Sequence, residues 1–333
     1  MTKVAIVGAG AWGTAFAIHA ASAGLEVGLL GSERDAVETL AATRRHPALA
    51  GAPPVPEGVS ITADAEAAFD GASAVLWAIS VQGTADESGR LREFLPPSVP
   101  LVAMSKGLEI GSKRRTTQIL CDVLSRDSGL AVLSGPTFAA EVARGLPAAA
   151  VVASADPEIS RSVQGLLSSP TFRLYRSSDV VGVEIAGAAK NVVAIAAGIV
   201  DGLKLGHNTR AALLTRALAE IRRLGTTLGG QPDTFAGLAG VGDLLLTGTG
   251  DLSRNRRVGL ALAAGRTVAE ALASLGGEVA EGVATAAVLV ELARSVNVEM
   301  PIAEIVGEIL SGQVSPKDAL RALMTRRLKQ ENV

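Results

Sequence analysis

The sequence predicts an α/β fold in two parts, a doubly wound parallel sheet followed by an all-helical domain. Three observations carry this. Short apolar runs alternate with helical stretches through the first half of the chain. A Gly8-x-Gly10-x-x-Gly13 turn stands between the first apolar run and the first helical stretch. After about residue 180 the strand-like runs stop, and apolar residues recur at helical spacing.

Val4–Val7 reads as the first buried strand, and the residues after the glycine turn, Trp12–Ala23, read as a helix. Val27–Leu30, Val75–Ile79, Leu101–Met104, Ala131–Leu133 and Ala149–Val152 repeat the buried-strand pattern, with a helix at Arg114–Leu124. Phe172-Arg-Leu-Tyr175 reads as a last edge strand. In the second half, Leu214, Leu218, Ile221 and Leu224 share one helical face. Thr267 and Glu270 form a capping-box pattern ahead of a helix. Ser315-Pro316 matches an N-cap with proline at the first helical position. The expected domains are therefore 1–180 and 181–333.

The chain has 333 residues, enough for two substantial cores. At 48% hydrophobic and 19% charged it describes a globular protein. A net charge of −2 with no long basic block argues against a nucleic-acid partner. With 3% aromatic residues, platforms for stacking bases are scarce as well. Cys121 is the only cysteine, which excludes an intrachain disulfide and a multi-cysteine metal site. His19, His46 and His207 are the only histidines, so no metal centre is expected. Cys121 reads as core, His19 as structural and His207 as a helix cap or support. The early glycines argue against a signal peptide. No stretch of 18 uninterrupted apolar residues occurs, so no membrane span is expected and the cytoplasm is the default.

Gly8, Gly10 and Gly13 sit where a strand turns into a helix. The first permits the tight turn, the second lets a pyrophosphate approach the backbone, and the third allows close helix–strand packing. The helix N-terminus attracts the phosphates. At the end of the second strand, Ser32, Glu33 and Arg34 face the adenosine ribose. An acid there favours a free 2′-hydroxyl and an arginine tolerates a 2′-phosphate, so NAD and NADP both stay open. Lys106 follows the strand Leu101–Met104 and is expected in the ligand crevice at the carboxyl ends of the strands. Ser134-Gly135-Pro-Thr137 follows the next strand, with backbone N–H groups and a hydroxyl suited to a small anion. Asp243 ends a glycine-rich stretch. Ser253-Arg254-Asn255 opens a helix, a combination of N–H groups and guanidinium that suits a phosphate. Lys190 is the only charged side chain between Glu184 and Asp201. Such a lysine either snorkels to water or stays desolvated with a lowered pKa, fit to move a proton near neutral pH.

These motifs together resemble a family. Gly-x-Gly-x-Trp-Gly-Thr-Ala (8–15), Ser-Lys-Gly (105–107), Ser-Gly-Pro-Thr-Phe-Ala-x-Glu (134–141), Gly-Ala-x-Lys-Asn (187–191), Gly-x-Gly-Asp-Leu (240–244) and Ser-Arg-Asn-Arg-Arg (253–257) run in the order seen in bacterial-type NAD(P)-dependent glycerol-3-phosphate dehydrogenases. The likeness spans residues 4 to about 302. It implies a Rossmann-type domain followed by a helical one, with reversible reduction of dihydroxyacetone phosphate to sn-glycerol 3-phosphate for phospholipid synthesis. It implies Lys190 as general acid/base; Lys106, in a loop after a strand, is the competing acid. It places substrate on Lys106, Gly135, Thr137, Lys190, Asp243, Ser253, Arg254 and Asn255. It places NAD or NADP on Ala11, Trp12, Ser32, Lys106, Ala139, Arg254, Val279 and Glu281, beside Gly8, Gly10 and Gly13 from the glycine loop and Arg34 from the end of the second strand.

Family members usually carry Pro-Ser-Gln where this chain has Ser80-Val81-Gln82, so the loop shape is expected to differ; Gln82 is kept as a cofactor candidate. A homodimer is expected from how often such enzymes pair. Two other readings are weighed. A 3-hydroxyacid dehydrogenase of the 6-phosphogluconate dehydrogenase type would carry Asn four residues after the lysine; here position 194 is Ala. A nucleotide-sensing protein without catalysis would have no need of Lys106, Lys190, Asp243 and Arg254.

Overall fold

A computed structural model describes residues 2–325 together with 330 and 331. Met1 and residues 326–329, 332 and 333, where the expected second domain ends, lie outside the described residues. The chain divides into two compact units. The first holds Met1–Ser105 and Arg114–Val180; the second holds Val181–Val333 and the short segment Lys106–Lys113.

The first unit is built on eight strands: β1 (Lys3–Val7), β2 (Glu26–Leu30), β3 (Val59–Thr62), β4 (Ala72–Trp77), β5 (Leu101–Ala103), β6 (Leu130–Ser134), β7 (Ala148–Ala153) and β8 (Phe172–Ser177). Their order is β3-β2-β1-β4-β5-β6-β7-β8, so the strand order reverses between β1 and β4. That reversal is the switch point where open α/β sheets bind ligands. The alternating core residues Val4 and Ile6, Val27 and Leu29, Leu76, Val102, Leu133 and Val152 share one buried cluster with Phe16 and Phe172.

Two features depart from the sequence expectation. β3 was not expected, because Val59-Ser-Ile-Thr62 has only two apolar residues and lies at a sheet edge where one face stays wet. β7 runs antiparallel to β6, whereas every other neighbouring pair is parallel. A parallel return needs a connection of about a dozen residues or more, usually built around a helix that retraces the strand. Between β6 and β7 the only helix is the five-residue Ala139–Ala143, so the chain turns back instead. The eleven-residue Pro157–Leu167 helix then restores a parallel crossover into β8.

The second unit is helical. Its core is the 23-residue helix Val180–Gly202, buried along nearly its whole length. Among the described residues it is the one helix long and apolar enough to cross a membrane, and that window is entirely buried. It packs in one cluster with residues of the Gly206–Thr227, Arg254–Ala263, Glu281–Ser295 and Pro301–Leu310 helices. The small residues of its sequence make this possible. A Cβ on Gly259 would stand 2.0 Å from the Ile195 carbonyl oxygen, and one on Gly198 would stand 2.1 Å from that of Arg256. Backbone therefore meets backbone where these two helices cross.

Gly259→Ala is expected to destabilise by about 1–3 kcal/mol, as overpacked cores do. Gly165→Ala, on an exposed helical site with open space, should stabilise by about 0.4–1 kcal/mol. Denaturant midpoints of the two variants check the pair, and matching shifts would refute the crossing argument.

Both caps expected from the sequence are present, and Ser253 adds a third. Ser253 accepts from the Arg256 N–H, Thr267 and Glu270 form a reciprocal box, and Ser315 accepts from the Asp318 N–H.

Candidate active site

In the first unit, β1 leads through Gly8–Gly10 into the helix Ala11–Ser22. Gly8 adopts φ +108°, and its N–H donates to Leu30 at 2.8 Å. A Cβ on Gly13 would stand 1.9 Å from the Gly8 carbonyl oxygen, which is why this helix can start so close to the strand. A Cβ on Gly10 would meet nothing within 4 Å, so the backbone there is open to a close-approaching group. No side chain caps this helix, and its first turn carries no acid. An uncapped helix N-terminus beside a bare glycine backbone fits the pyrophosphate of a dinucleotide. Ala11 and Trp12 line the start of the helix, half-buried. Ser32, Glu33 and Arg34 follow β2 and are all exposed, so acid and arginine are equally available to a ribose or its phosphate. Gln82, exposed, lies in a short turn over Val81–Gly83. Gly135 follows β6 at φ +149°, where a Cβ would stand 2.9 Å from Ala150 Cα. Thr137 donates its hydroxyl to the Gly135 carbonyl at 3.1 Å. Ala139 begins the short helix that follows.

The second unit gathers the charged residues. Lys190 is 7% exposed, midway along the central helix. It does not snorkel. Its Nζ donates to Asp243 Oδ1 at 2.9 Å and to Thr247 Oγ1 at 2.8 Å. Lys106 Nζ donates to the other carboxylate oxygen of Asp243 at 2.7 Å. Asp243, 1% exposed, thus bridges two ammonium groups. Burial lowers the Lys190 pKa to about 8, against the opposing pull of Asp243; the charge of Lys106 lowers it further. Burial alone would raise the Asp243 carboxyl, but the two lysines outweigh it and hold it below its ordinary value.

Asp243 stands where the chain needs a special turn. It begins the helix Asp243–Thr249, directly after a π-helical turn at Leu238–Gly242. Such turns are rare and concentrate at functional sites. Thr247 lies one turn further on the same face and donates to Asp243 Oδ1 at 3.2 Å. Sequence reading missed Thr247; a hydroxyl four residues after a candidate carboxylate was the available signal.

A chain of amides fixes Lys106. Asn191 Nδ2 donates to the Lys106 carbonyl at 2.8 Å, and Asn255 Nδ2 donates to Asn191 Oδ1 at 2.9 Å. The Gly282 N–H completes it, donating to Asn255 Oδ1 at 3.0 Å. Asn191, read from sequence as a helix-packing polar group within the motif at 187–191, is therefore a link of the site. Glu281 carries its carboxyl above the usual range because burial outweighs the charges of Arg254, Lys190 and Lys106 and a bond from the Lys106 N–H. Ser253 is buried as the helix cap, Arg254 is half-buried, and Val279 is 55% exposed beyond Glu278. The structure thus brings Lys106, Lys190, Asp243, Asn255 and Glu281 into one network, with Ser253 and Arg254 at the helix start beside Asn255. Among the described residues no group of three His, Cys, Asp or Glu side chains is placed to hold a metal.

Chemically, the cluster is a buried lysine near neutral pKa held beside a fixed carboxylate and a second lysine. That arrangement protonates or deprotonates an oxygen and steadies negative charge on it.

The sequence profile of the NAD-dependent glycerol-3-phosphate dehydrogenase N-terminus matches residues 3–160, and that of its C-terminus matches 179–321. The chain is 47% identical over 330 residues to a protein of Aromatoleum aromaticum named glycerol-3-phosphate dehydrogenase [NAD(P)+], covering 99% of this chain and 100% of the other. A Geobacter sulfurreducens protein of the same name is 46% identical over 331 residues, covering 99% and 98%. Among solved structures, that of glycerol-3-phosphate dehydrogenase from Coxiella burnetii superposes with a TM-score of 0.90 at 37% identity, covering 98% of this chain and 99% of that one. A glycine loop at the switch point, a lysine–aspartate–lysine cluster and matches along both halves converge, and this chain belongs to the NAD-dependent glycerol-3-phosphate dehydrogenase family.

Proposed function

We propose that this chain reduces dihydroxyacetone phosphate reversibly to sn-glycerol 3-phosphate with a nicotinamide dinucleotide, supplying glycerophospholipid synthesis. The observation that carries the reading is Lys190, buried, lowered to about 8 and tied to Asp243 beside Lys106. A bound nicotinamide dinucleotide supplies or accepts the hydride. Lys190 Nζ gives its proton to the ketone oxygen as the alcohol forms, and takes it back in the reverse direction. Asp243 holds Lys190 by its Oδ1 and Lys106 by its Oδ2, so both ammonium groups are aimed without searching. Lys106 steadies the developing alkoxide.

Gly135, Thr137, Ser253, Arg254 and Asn255 are assigned to the substrate, with Arg254 and the helix start at Ser253 on its phosphate. Gly8, Gly10, Ala11, Trp12, Gly13, Ser32, Arg34, Ala139, Val279 and Glu281 are assigned to the cofactor, with Lys106 and Arg254 shared. The domain division at 180/181 and assembly as a cytoplasmic homodimer belong to the same reading; light scattering checks the dimer.

The test is an initial-rate assay of the purified protein with dihydroxyacetone phosphate, run in parallel with NADH and NADPH. Turnover with at least one is expected, and none with 3-oxoacids. Cofactor binding without turnover on this ketone would defeat the proposal.

A further inference from the structure

We propose that Asp201 is a positioning residue that fixes the phosphate end of the substrate site, an inference that rests on the dehydrogenase reading above. Asp201 lies in the last turn of the helix that carries Lys190, eleven residues and about 16 Å further along the axis. It is too far to touch the reacting atoms. Its carboxylate instead gathers two arginines. Arg256 donates to Oδ2 from Nε at 2.9 Å and from Nη2 at 2.7 Å. Arg210 Nη1 donates to Oδ1 at 3.0 Å and to Oδ2 at 3.1 Å. The third nitrogen of Arg256, Nη1, donates to Asp251 at 2.9 Å.

The guanidinium of Arg256 is thus turned inward and largely shielded, with its side chain 11% exposed. In the sequence it looks as ready for a phosphate as Arg254. The structure separates the two by their partners: Arg256 is an anchor held by Asp201 and Asp251, whereas Arg254, at the helix start, acts on the carboxyl of Glu281.

Arg256 immediately follows Asn255 in the first turn of the Arg254–Ala263 helix. That turn is gripped twice by the same neighbour. Asn255 is bonded to Asn191, and Arg256 to Asp201; both partners belong to the Val180–Gly202 helix. Between the grips the backbones are in contact, since a Cβ on Gly198 would meet the Arg256 carbonyl. One rigid helix therefore carries the proton donor and the anchor of the phosphate-facing turn. It sets the spacing between them, and with it the preference for a phosphorylated ketone. A displacement of about 1 Å in such a clamp costs up to roughly a hundredfold in rate.

Asp201→Asn tests this. Relative to wild type, kcat/KM for dihydroxyacetone phosphate should fall roughly tenfold, carried mainly by KM. Values for unphosphorylated dihydroxyacetone should stay unchanged. Equal losses on both ketones would mark a structural role only, and no loss on either would remove the role altogether; both overturn the proposal. Arg256→Lys keeps the charge but loses the two-pronged grip, and should shift the same ratio if Asp201→Asn does not fold; an unchanged ratio there also overturns it. Inorganic phosphate gives a readout independent of turnover. It should raise the melting temperature of wild type more than that of Asp201→Asn, and equal shifts would sink the proposal even where the ketone assay itself fails.

Discussion

Lys190→Ala is expected to lower kcat by about 10²–10⁴-fold while leaving KM for the dinucleotide nearly unchanged, the usual scale for loss of a positioned acid/base. The direction with pH follows from the shifted group. Lys190 titrates at about 8 rather than at its ordinary 10.5. The ketone-reducing direction needs the ammonium form, so its rate should fall as pH rises through about 8. The alcohol-oxidising direction needs the amine, and its rate should rise through the same range. Asp243 is held below its usual range and stays ionised throughout, so it does not supply this transition. Initial rates in both directions between pH 6 and 10, for wild type and variant, check the assignment. A variant that keeps wild-type kcat would pass the proton step to Lys106.

Asp243→Asn should be the most damaging single change to stability in the second unit. It leaves the buried Lys190 ammonium without its carboxylate, and breaking a buried pair in this way costs about 3–5 kcal/mol. It also removes the one group that receives both lysines. Without Asp243 the Lys190 pKa should fall further, because burial and Lys106 both lower it and the main opposing charge is gone. The variant's pH–rate transition should therefore move to the acid side of about 8.

The pH dependence of stability has a definite sign. Lys190 binds its proton less tightly folded than unfolded, so the cost of burying its charge is full below its folded pKa. That cost is relieved as pH rises from there towards 10.5. The excess instability of Asp243→Asn should accordingly shrink at alkaline pH. Urea unfolding at pH 6, 8 and 10 measures this, and a penalty independent of pH would show that packing, not charge, is responsible.

Much of the fold was legible because its signals are local. The buried strands of a parallel sheet are short apolar runs, and the glycine turn sits where strand gives way to helix. Thr267 and Ser315 announce their helices from the position just before each, because the side chain that starts a helix is read from its own neighbours. β3 escaped because an edge strand buries too little to need a full apolar run. The antiparallel β7 escaped because strand direction depends on whether the connection carries a full crossover helix, not on the strand's residues.

The candidate site divides in the same way. Lys190, Lys106, Asp243 and Arg254 were visible as residue types in motifs, since charge amid glycine and alanine stands out in a string of letters. Their partnership was not visible. Lys106 and Asp243 are separated by 137 residues, and Lys190 and Thr247 by 57. Nor could the sequence decide between a lysine that reaches water and one that is kept from it. Helices crossing at glycine contact, and a carboxylate set after a π-turn, made that choice.

The sequence by itself determined the element types, the glycine loop and which residues carry charge. Propensity, capping and periodicity act within a few residues. The tertiary structure alone decided which charges share a buried carboxylate, which arginine is an anchor, and how far Lys190 is shifted. Each of these depends on desolvation and on distances between residues remote in the chain.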